Sequence, residues 1–333
     1  MALSALRSLS DAVDLTRALL FPLSPRRWGV LAAVVAFLGP AGTPLPATPQ
    51  VVDPRLWESL PAAGTIPRRT TAALPEVLVS SLLVGVGALG VLLVGYLAAG
   101  SLMHYVFVER LHRPQTTIRD TARHHRNRAL GLFVLRVIIW AFGLLPAGML
   151  ALAWLDVVIP VIYPSPLALV VAGVGVALAW VLDAITCQLA VPVSIAADTS
   201  IVAAWRRLSV VVRAHPIEYL AYAVVRPVVS VAVGVAAALA IAIGVGAVVV
   251  LVGTLSGGIL LVGGLTPVSR LVLAGLGSFG GAIALVIAAV VSVPFHVYLR
   301  YYALLVIGTT APPLDLVTDQ RAGANGARPS DPA

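Results

Sequence analysis

The chain lacks lysine altogether and has only one cysteine and few charged residues of either sign. Its 333 residues include 22 basic side chains, all arginine, and 14 acidic ones, and charged residues make up 11% of the sequence. An ordinary soluble domain has about 25% charged residues. This scarcity of charge excludes a water-soluble globular protein, because too few polar side chains remain to cover an apolar core. The single cysteine, Cys187, excludes an intramolecular disulfide and a metal site made of several cysteines.

Apolar segments occupy most of the chain instead. Hydrophobic residues make up 59% of the sequence, and the mean hydropathy is +1.00. Runs longer than about 18 apolar residues recur, which is the length that a helix needs to cross roughly 30 Å of hydrocarbon. The runs are continuous and do not alternate with a period of two, which excludes a transmembrane β-barrel. The sequence therefore predicts an all-α, polytopic helical membrane protein.

Six apolar runs predict about six transmembrane helices, together with amphipathic interfacial helices. The runs cover residues 29–38, 77–108, 129–153, 167–190, 219–252 and 271–307. The first run is short, so whether it crosses the membrane completely stays open. The pair Arg26-Arg27 before this run resembles a twin-arginine export signal, but Pro25 departs from the pattern of that signal. A short transmembrane helix is the preferred interpretation.

The sequence predicts three regions along the chain. Residues 1–27 form a cytoplasmic amphipathic segment, residues 28–310 form the integral membrane domain, and residues 311–333 form a polar, mobile cytoplasmic tail. Two segments of the membrane domain look irregular. They are the proline-rich loop 39–74 and the glycine-rich residues 253–267, a candidate for a segment that dips back into the membrane.

The distribution of arginine predicts the orientation of the chain. Residues 110–128 contain six arginines and residues 205–213 contain three, whereas residues 154–166 contain no basic residue. Arginine-rich short connectors stay on the cytoplasmic side of a membrane. This pattern predicts a multi-pass protein of the cell membrane with both termini in the cytoplasm.

Residues 76–153 and 166–252 are two possible parallel repeats, offset by 90 residues. Repeats of this kind occur in transporters, where an axis along the membrane normal relates them. Similar composition can also produce such matches, so a duplication and a chance match both stay open. The matched pairs are Arg123–Arg213, His125–His215, Leu130–Leu220, Val134–Val224 and Arg136–Arg226.

Three short stretches carry a family resemblance. They are FVERL at residues 107–111, AWRR at 204–207 followed by His215-Pro216, and YLRYYALL at 298–305. With these stretches, nearly the whole chain resembles a family of uncharacterised haloarchaeal integral membrane proteins. That family is distantly similar to the membrane domain fused to some glycerophosphodiester phosphodiesterases. The resemblance implies a helical membrane fold, and it implies no activity and no residue roles.

No sequence pattern indicates catalysis. Residues 85–90 and 275–280 both match G-x-G-x-x-G, but they lie in apolar helices without a preceding strand, so the glycines indicate close helix packing. The six histidines do not have zinc-site spacing, and neither a nucleophile elbow nor a Walker loop occurs. We therefore expect a protein without catalytic residues, metal or cofactor. Because the arginines flank apolar runs, we expect no nucleic-acid partner either.

Six ionisable residues lie inside the predicted spans, all in the cytoplasmic half. A charged group there costs roughly 2.5–3.5 kcal/mol, so such residues usually pair or reach water. Asp183 is the only acid of the six and is the predicted partner of Arg136 or Arg226. Two interpretations stay open: arginines that extend to the inner headgroups beside one structural ion pair, or a net positive vestibule that binds an anionic headgroup or a small anion. The six residues are His104, Arg136, Asp183, Arg226, His296 and Arg300.

Two arginine clusters are predicted to contact anionic lipid on the cytoplasmic face. The function predicted from these features is a non-catalytic, lipid-interacting or membrane-organising component. The alternative is a transporter of lipids or small solutes with a polar cavity facing the cytoplasm. A homo-oligomer or another membrane-protein partner also fits the sequence. The clusters are Arg119, Arg123 and Arg126, and Arg206, Arg207 and Arg213.

Overall fold

The computed structural model describes residues 4–21, 23–38, 76–113, 116–154, 166–264, 266–318 and 320–321. These residues form helices joined by short turns, with no strand among them, which confirms the all-α prediction. The proline-rich loop, most of the connection at 154–166 and the last residues of the tail lie outside the described residues.

Nine α-helices follow one another along the described chain. Several begin with a proline, which suits the first helical position because the N–H there needs no partner within the helix. A π-helical turn, Thr186–Ala190, joins α5 to α6, and a 3₁₀ turn, Pro312–Leu314, follows α9. The helices are α1 Ser4–Leu20, α2 Pro25–Leu38, α3 Glu76–His112, α4 Ile118–Trp154, α5 Pro166–Ile185, α6 Val191–Ala196, α7 Ile201–Ala214, α8 Pro216–Gly263 and α9 Pro267–Thr310.

Five segments of the described chain are long and apolar enough to cross a membrane, as expected of a multi-pass membrane protein. They correspond to the last five predicted runs. The prediction of six spans is not confirmed, because α2 has only 14 residues. Its length is about 21 Å, shorter than the roughly 30 Å of hydrocarbon. The five segments are Gly90–His112, Ile118–Pro146, Leu167–Ala196, Pro216–Val262 and Pro267–Thr310.

Two segments interpreted as loops from the sequence are largely helical. The arginine-rich residues 110–128 belong mostly to the end of α3 and the start of α4. The glycine-rich residues 253–267 continue α8 as far as Gly263, so they do not dip back as irregular backbone. A helix satisfies every backbone group internally, which an apolar environment requires. The turn after α8 uses Gly264 at φ 59°, and Thr266 then accepts a hydrogen bond from the Ser269 N–H at 3.1 Å to begin α9.

The chain divides into two compact units. The first comprises Met1–Ala47, Val106–Thr116 and Arg207–Ala333, and the second comprises Thr48–Tyr105 and Thr117–Arg206. In the first unit, α8 and α9 pack along each other, and α1 and α2 pack against α9. In the second unit, α4 packs along α5.

Helix α1 is amphipathic, as predicted, but its apolar face packs against protein. Ala12, Leu15 and Leu19 are buried, whereas Arg7 and Arg17 are exposed. Because α1 lies against α9, these buried side chains belong to the core of the first unit, whereas the sequence predicted an interfacial helix. An amphipathic pattern alone does not show whether the apolar face of a helix packs against lipid or against protein.

Arg27 and Trp28, at the start of α2, join this helix to the end of α1. The Arg27 guanidinium donates a hydrogen bond to the Leu19 carbonyl at 2.6 Å, and the Trp28 indole donates to the Leu20 carbonyl at 3.3 Å. The last carbonyls of a helix have no partner within it, so these side chains cap α1. This contact gives Arg27 a structural role.

The tail is bound to the first unit as far as the structure describes it, which differs from the predicted mobile segment. The Gln320 side chain donates hydrogen bonds to the carbonyls of Leu111 at 2.5 Å and His112 at 3.0 Å, at the end of α3. His112 Nδ1 lies 2.6 Å from the Leu316 carbonyl, which requires the ring nitrogen to be the donor. Val317 is fully buried. The tail therefore caps α3.

Glycine allows the backbones of α4 and α5 to come close in the second unit. A Cβ added to Gly143 would lie 2.4 Å from the Ala179 Cβ and 3.0 Å from the Gly175 carbonyl oxygen. Real Cβ atoms do not approach other atoms so closely. Small residues at a helix crossing are the usual means of close packing in membranes.

We expect Gly143→Ala to destabilise the protein by about 1–3 kcal/mol, because the added methyl group forces α4 and α5 apart. Gly148→Ala is the matched control, since Gly148 lies on the same helix, is exposed and has no neighbour within 4 Å of the added Cβ. The control should be neutral or slightly stabilising, because alanine favours a helix more than glycine does. Denaturant titration in detergent micelles measures both free energies of unfolding. Equal values for the two variants would contradict this packing.

Candidate functional site

A buried ion pair joins α4 to α5. Arg136 Nε donates a hydrogen bond to Asp183 Oδ1 at 2.8 Å, and Arg136 Nη2 donates to Oδ2 at 3.1 Å. The two side chains are 5% and 1% exposed, so water does not screen them. Of the two partners predicted for Asp183, the structure selects Arg136. Two parallel hydrogen bonds satisfy both carboxylate oxygens, as a guanidinium and a carboxylate do in their strongest geometry.

The π-helical turn begins three residues after Asp183. Cys187 Sγ lies 3.8 Å from Asp183 Oδ1, so the thiol contacts the ion pair. The Thr186 hydroxyl accepts a hydrogen bond from the Trp205 indole at 3.2 Å, which connects this turn to α7. The Gln188 side-chain oxygen is buried and has no hydrogen-bond partner among the described residues. Single π-helical turns often occur at functional sites, and here one lies beside the buried charges.

The first unit contains a second polar cluster, formed by α8 and α9. Tyr222 lies within range of the charges of both Arg226 and Arg300. The rings of Tyr222 and Tyr302 have their centroids 5.3 Å apart. His296 Nδ1 lies 3.0 Å from the Ser292 carbonyl, so this nitrogen is the donor. Two arginines, two tyrosines and a histidine are therefore gathered between two apolar helices.

Arg300 is almost completely buried in this cluster. It is 2% exposed, and its guanidinium carbon lies 5.7 Å from the centre of the Phe107 ring, close enough for a cation–π interaction. The face of a guanidinium can stack on an aromatic ring while its edge keeps the N–H donors available. Phe107 is itself fully buried.

The first predicted lipid-binding cluster lies on one face of α4. Its arginines are exposed and spaced by four and three residues, so they form a stripe along the helix. The same face continues with Leu130 and Val134, which are 52% and 53% exposed. One helical stripe thus changes from arginine to apolar side chains within about one turn, as it would at the boundary between headgroups and hydrocarbon. The arginines are Arg119, Arg123 and Arg126.

The second predicted cluster lies on the exposed face of α7. Ile201, Ala204 and Leu208 are buried on the other face. The apolar edge of α7 therefore packs against protein, while its arginines face outwards. The exposed arginines are Arg206, Arg207 and Arg213.

Arg128 follows Arg126 of the α4 stripe by two residues but has a different role. Its guanidinium donates a hydrogen bond to the Asp198 carboxylate in the turn before α7. That hydrogen bond, together with the positive charge of Arg128, lowers the pKa of Asp198 below its usual value. Asp198 has φ 50°, a left-handed conformation that aspartate tolerates better than most residues. The carboxyl is well exposed, so the pair contributes little to stability.

The six predicted vestibule residues divide between the two units. His104, Arg136 and Asp183 belong to the second unit, where His104 is buried on α3 and the other two form the ion pair. The remaining three belong to the arginine cluster of the first unit. Because Asp183 neutralises Arg136, the excess positive charge of these six residues lies in the first unit. Those three residues are Arg226, His296 and Arg300.

Several residues of both clusters were not predicted from the sequence. Glu218, Tyr222 and Arg226 recur every four residues, and this spacing could have identified Tyr222 as a neighbour of the arginine. The π-helical turn and the approach of Phe107 to Arg300 leave no comparable signal in the sequence. No group of three or more His, Cys, Asp or Glu side chains that could hold a metal ion occurs in the part of the chain that the structure describes.

Removing one partner of the Arg136–Asp183 pair should destabilise the protein strongly. Arg136→Met or Asp183→Leu alone leaves an uncompensated buried charge, and we expect a loss of about 3–5 kcal/mol. The double variant leaves no charge and should lose less than either single variant. Denaturant titration in detergent of the four proteins measures this coupling. If the two single effects simply add in the double variant, the pair is not coupled as described.

Comparison with known proteins gives one family. No curated protein and no solved structure matches the chain. A family described only as of unknown function matches residues 3–317, which include both polar clusters and the described tail to Val317. The chain therefore belongs to the family of unknown function DUF7544.

Proposed function

We propose that this protein is a non-catalytic membrane component that binds anionic lipid headgroups on the cytoplasmic face. The observation that carries this proposal is the stripe on α4, where three exposed arginines continue directly into exposed leucine and valine. Apolar side chains at this exposure require lipid, and arginines one turn away then meet the headgroups. An arginine near an anionic surface gains about 1 kcal/mol.

The orientation in this proposal follows from the distribution of arginine. The α3–α4 connection and α7 carry clusters of exposed arginines, and such segments stay on the cytoplasmic side. Five spans place the described tail on that side as well. Arg27 at the start of α2 lies within range of Tyr301 of α9, and the bound tail contacts the end of α3. This proximity supports the proposal of two cytoplasmic termini, which requires an even number of crossings and therefore a sixth crossing in addition to the five spans.

Two further points support a lipid-related role. The family resemblance extends distantly to membrane domains fused to glycerophosphodiester phosphodiesterases, which suggests a module that works beside lipid chemistry without performing it. A second surface, on α7, also exposes three arginines, here opposite a buried apolar edge. Two such surfaces would organise anionic lipid around the protein.

Replacing the three α4 arginines with glutamine should weaken the preference for anionic over zwitterionic phospholipid by up to about a hundredfold. Native mass spectrometry of the protein with defined lipid mixtures measures this preference. The variant Arg119→Lys/Arg123→Lys/Arg126→Lys keeps the charge and is the matched control, so it should behave as the wild type. The preference should also weaken as salt increases. If the glutamine variant keeps the wild-type preference, α4 does not bind headgroups.

A second candidate function is transport of a small solute or lipid. It is favoured by the second unit, where the buried Arg136–Asp183 pair and the π-helical turn lie together within spans. Buried ionisable residues frequently line transport paths, and such a path must open to water at some stage. The buried Cys187 beside the pair reports on this opening.

Transport predicts that Cys187 in native membranes reacts slowly with a charged, membrane-impermeant thiol reagent at alkaline pH. A static structural pair predicts no reaction, because the thiol is fully buried. Mass spectrometry quantifies the modified fraction, and protein denatured in SDS provides the fully reactive control. Absence of labelling over hours, while the denatured control reacts completely, would reject transport through this region.

A further inference from the structure

The spans α8 and α9 carry an excess of positive charge. Together they contain three arginines and one acidic residue, Glu218. Arg270 is exposed at the start of α9, whereas Arg226 and Arg300 lie well inside their helices. His296 adds no charge when its Nδ1 donates to Ser292 and the ring is neutral. Without the exposed Arg270, the charges of Arg226, Arg300 and Glu218 sum to +1. One negative charge on a ligand would therefore make this part of the α8–α9 pair neutral.

Arg226 and Arg300 reach the same level of the α8–α9 pair. Arg226 lies ten residues after the start of α8, and Arg300 lies ten residues before the end of α9. Each is therefore about 15 Å from its helix end. The Tyr219 and Thr310 hydroxyls, 3.1 Å apart, hold these two ends together. Arg226, near the start of α8, and Arg300, near the end of α9, therefore belong to the same cluster.

Tyr302 provides a buried hydrogen-bond donor in this cluster. Its side chain is fully buried, and within the described part of the chain its hydroxyl has no hydrogen-bond partner. Tyr302 lies within range of the charge of Arg226, and its ring packs beside Tyr222. A buried hydroxyl without an acceptor is unfavourable. A ligand oxygen at this place would accept its hydrogen bond.

These groups suit a ligand with a negative charge and several acceptor oxygens. Arginine donates N–H groups in a planar fork that matches phosphate oxygens, and a tyrosine hydroxyl adds one further donor. Stacking of Arg300 on Phe107 orients its guanidinium, a group that carries five N–H donors. Phosphate, with oxygens pointing in several directions, can accept from donors on both α8 and α9.

We propose that Arg226, Arg300 and Tyr302 bind a phosphate group between α8 and α9. The phosphate belongs either to a phospholipid headgroup or to inorganic phosphate, since the donors recognise the same chemical group in both. This site lies apart in sequence from the α4 and α7 arginines, and it does not depend on their role. The ligand class of the arginine cluster of the first unit is therefore a phosphate group.

The test uses the full-length protein in detergent. One arm adds phosphatidylglycerol, detected by native mass spectrometry, and the other adds inorganic phosphate, detected as a rise in melting temperature against chloride at equal ionic strength. We expect Arg226→Gln to weaken binding at least tenfold and Tyr302→Phe to weaken it about threefold to tenfold. Arg270→Gln, on α9 like Tyr302 but exposed, is the matched control and should bind as the wild type does.

The two arms identify the source of the phosphate. Tyr302→Phe removes a single oxygen, so it tests the site even if Arg226→Gln fails to fold. Repeating the lipid arm in the Arg119→Gln/Arg123→Gln/Arg126→Gln background removes the α4 contribution, so failure of this site and failure of the proposed function are distinguishable. A loss confined to the lipid arm supports a headgroup, and a loss confined to the phosphate arm supports the free ion. Wild-type binding by Tyr302→Phe in both arms would overturn the proposal.

Discussion

The packing around the last third of α9 holds the first unit together. From Leu299 to Gly308 every residue of α9 is buried, in a helix whose earlier part is largely exposed. Helices α1, α2 and α8 all pack against α9, and Tyr301 donates a hydrogen bond to the Leu111 carbonyl at the end of α3. Most of the surface of the five spanning segments is exposed in the structure, so this buried part of α9 supplies much of the packing between helices. The arginine cluster lies in it because Arg300 and Tyr302 belong to the same segment.

Hydropathy located the spans well because transfer of a helix into hydrocarbon depends mainly on local composition. The five spanning segments overlap the predicted runs. For the glycine-rich part of α8, the prediction of irregular backbone was wrong, because these residues are helical as far as Gly263. Composition does not indicate which apolar surface meets lipid and which meets protein. For that reason the buried face of α1, the capping role of Arg27 and the bound tail were not predictable. The buried face of α1 and the bound tail depend on partners distant in sequence, and Arg27 depends on the position of a helix end eight residues earlier.

The candidate site was predictable only to the level of residue types. Charge complementarity identified Asp183 as a partner for an arginine, but Arg136 and Arg226 have similar surroundings in the sequence. The choice depends on which helix packs beside α5, and that is α4. The matched repeat positions illustrate the same point. Leu130 and Leu220 are both exposed, yet Arg136 forms an ion pair with an acid whereas Arg226 lies beside Tyr222.

The hydrogen bonds from Gln320 to the end of α3 link residues 208 and 209 positions apart. During synthesis, α3 is complete long before Gln320 leaves the ribosome, so its final carbonyls must first be satisfied by water or by the insertion machinery. Only a chain that extends as far as Gln320 can supply the permanent cap. Assembly of the first unit therefore concludes only after Gln320 has emerged, and a chain truncated before Gln320 would enter the membrane without this cap on the end of α3.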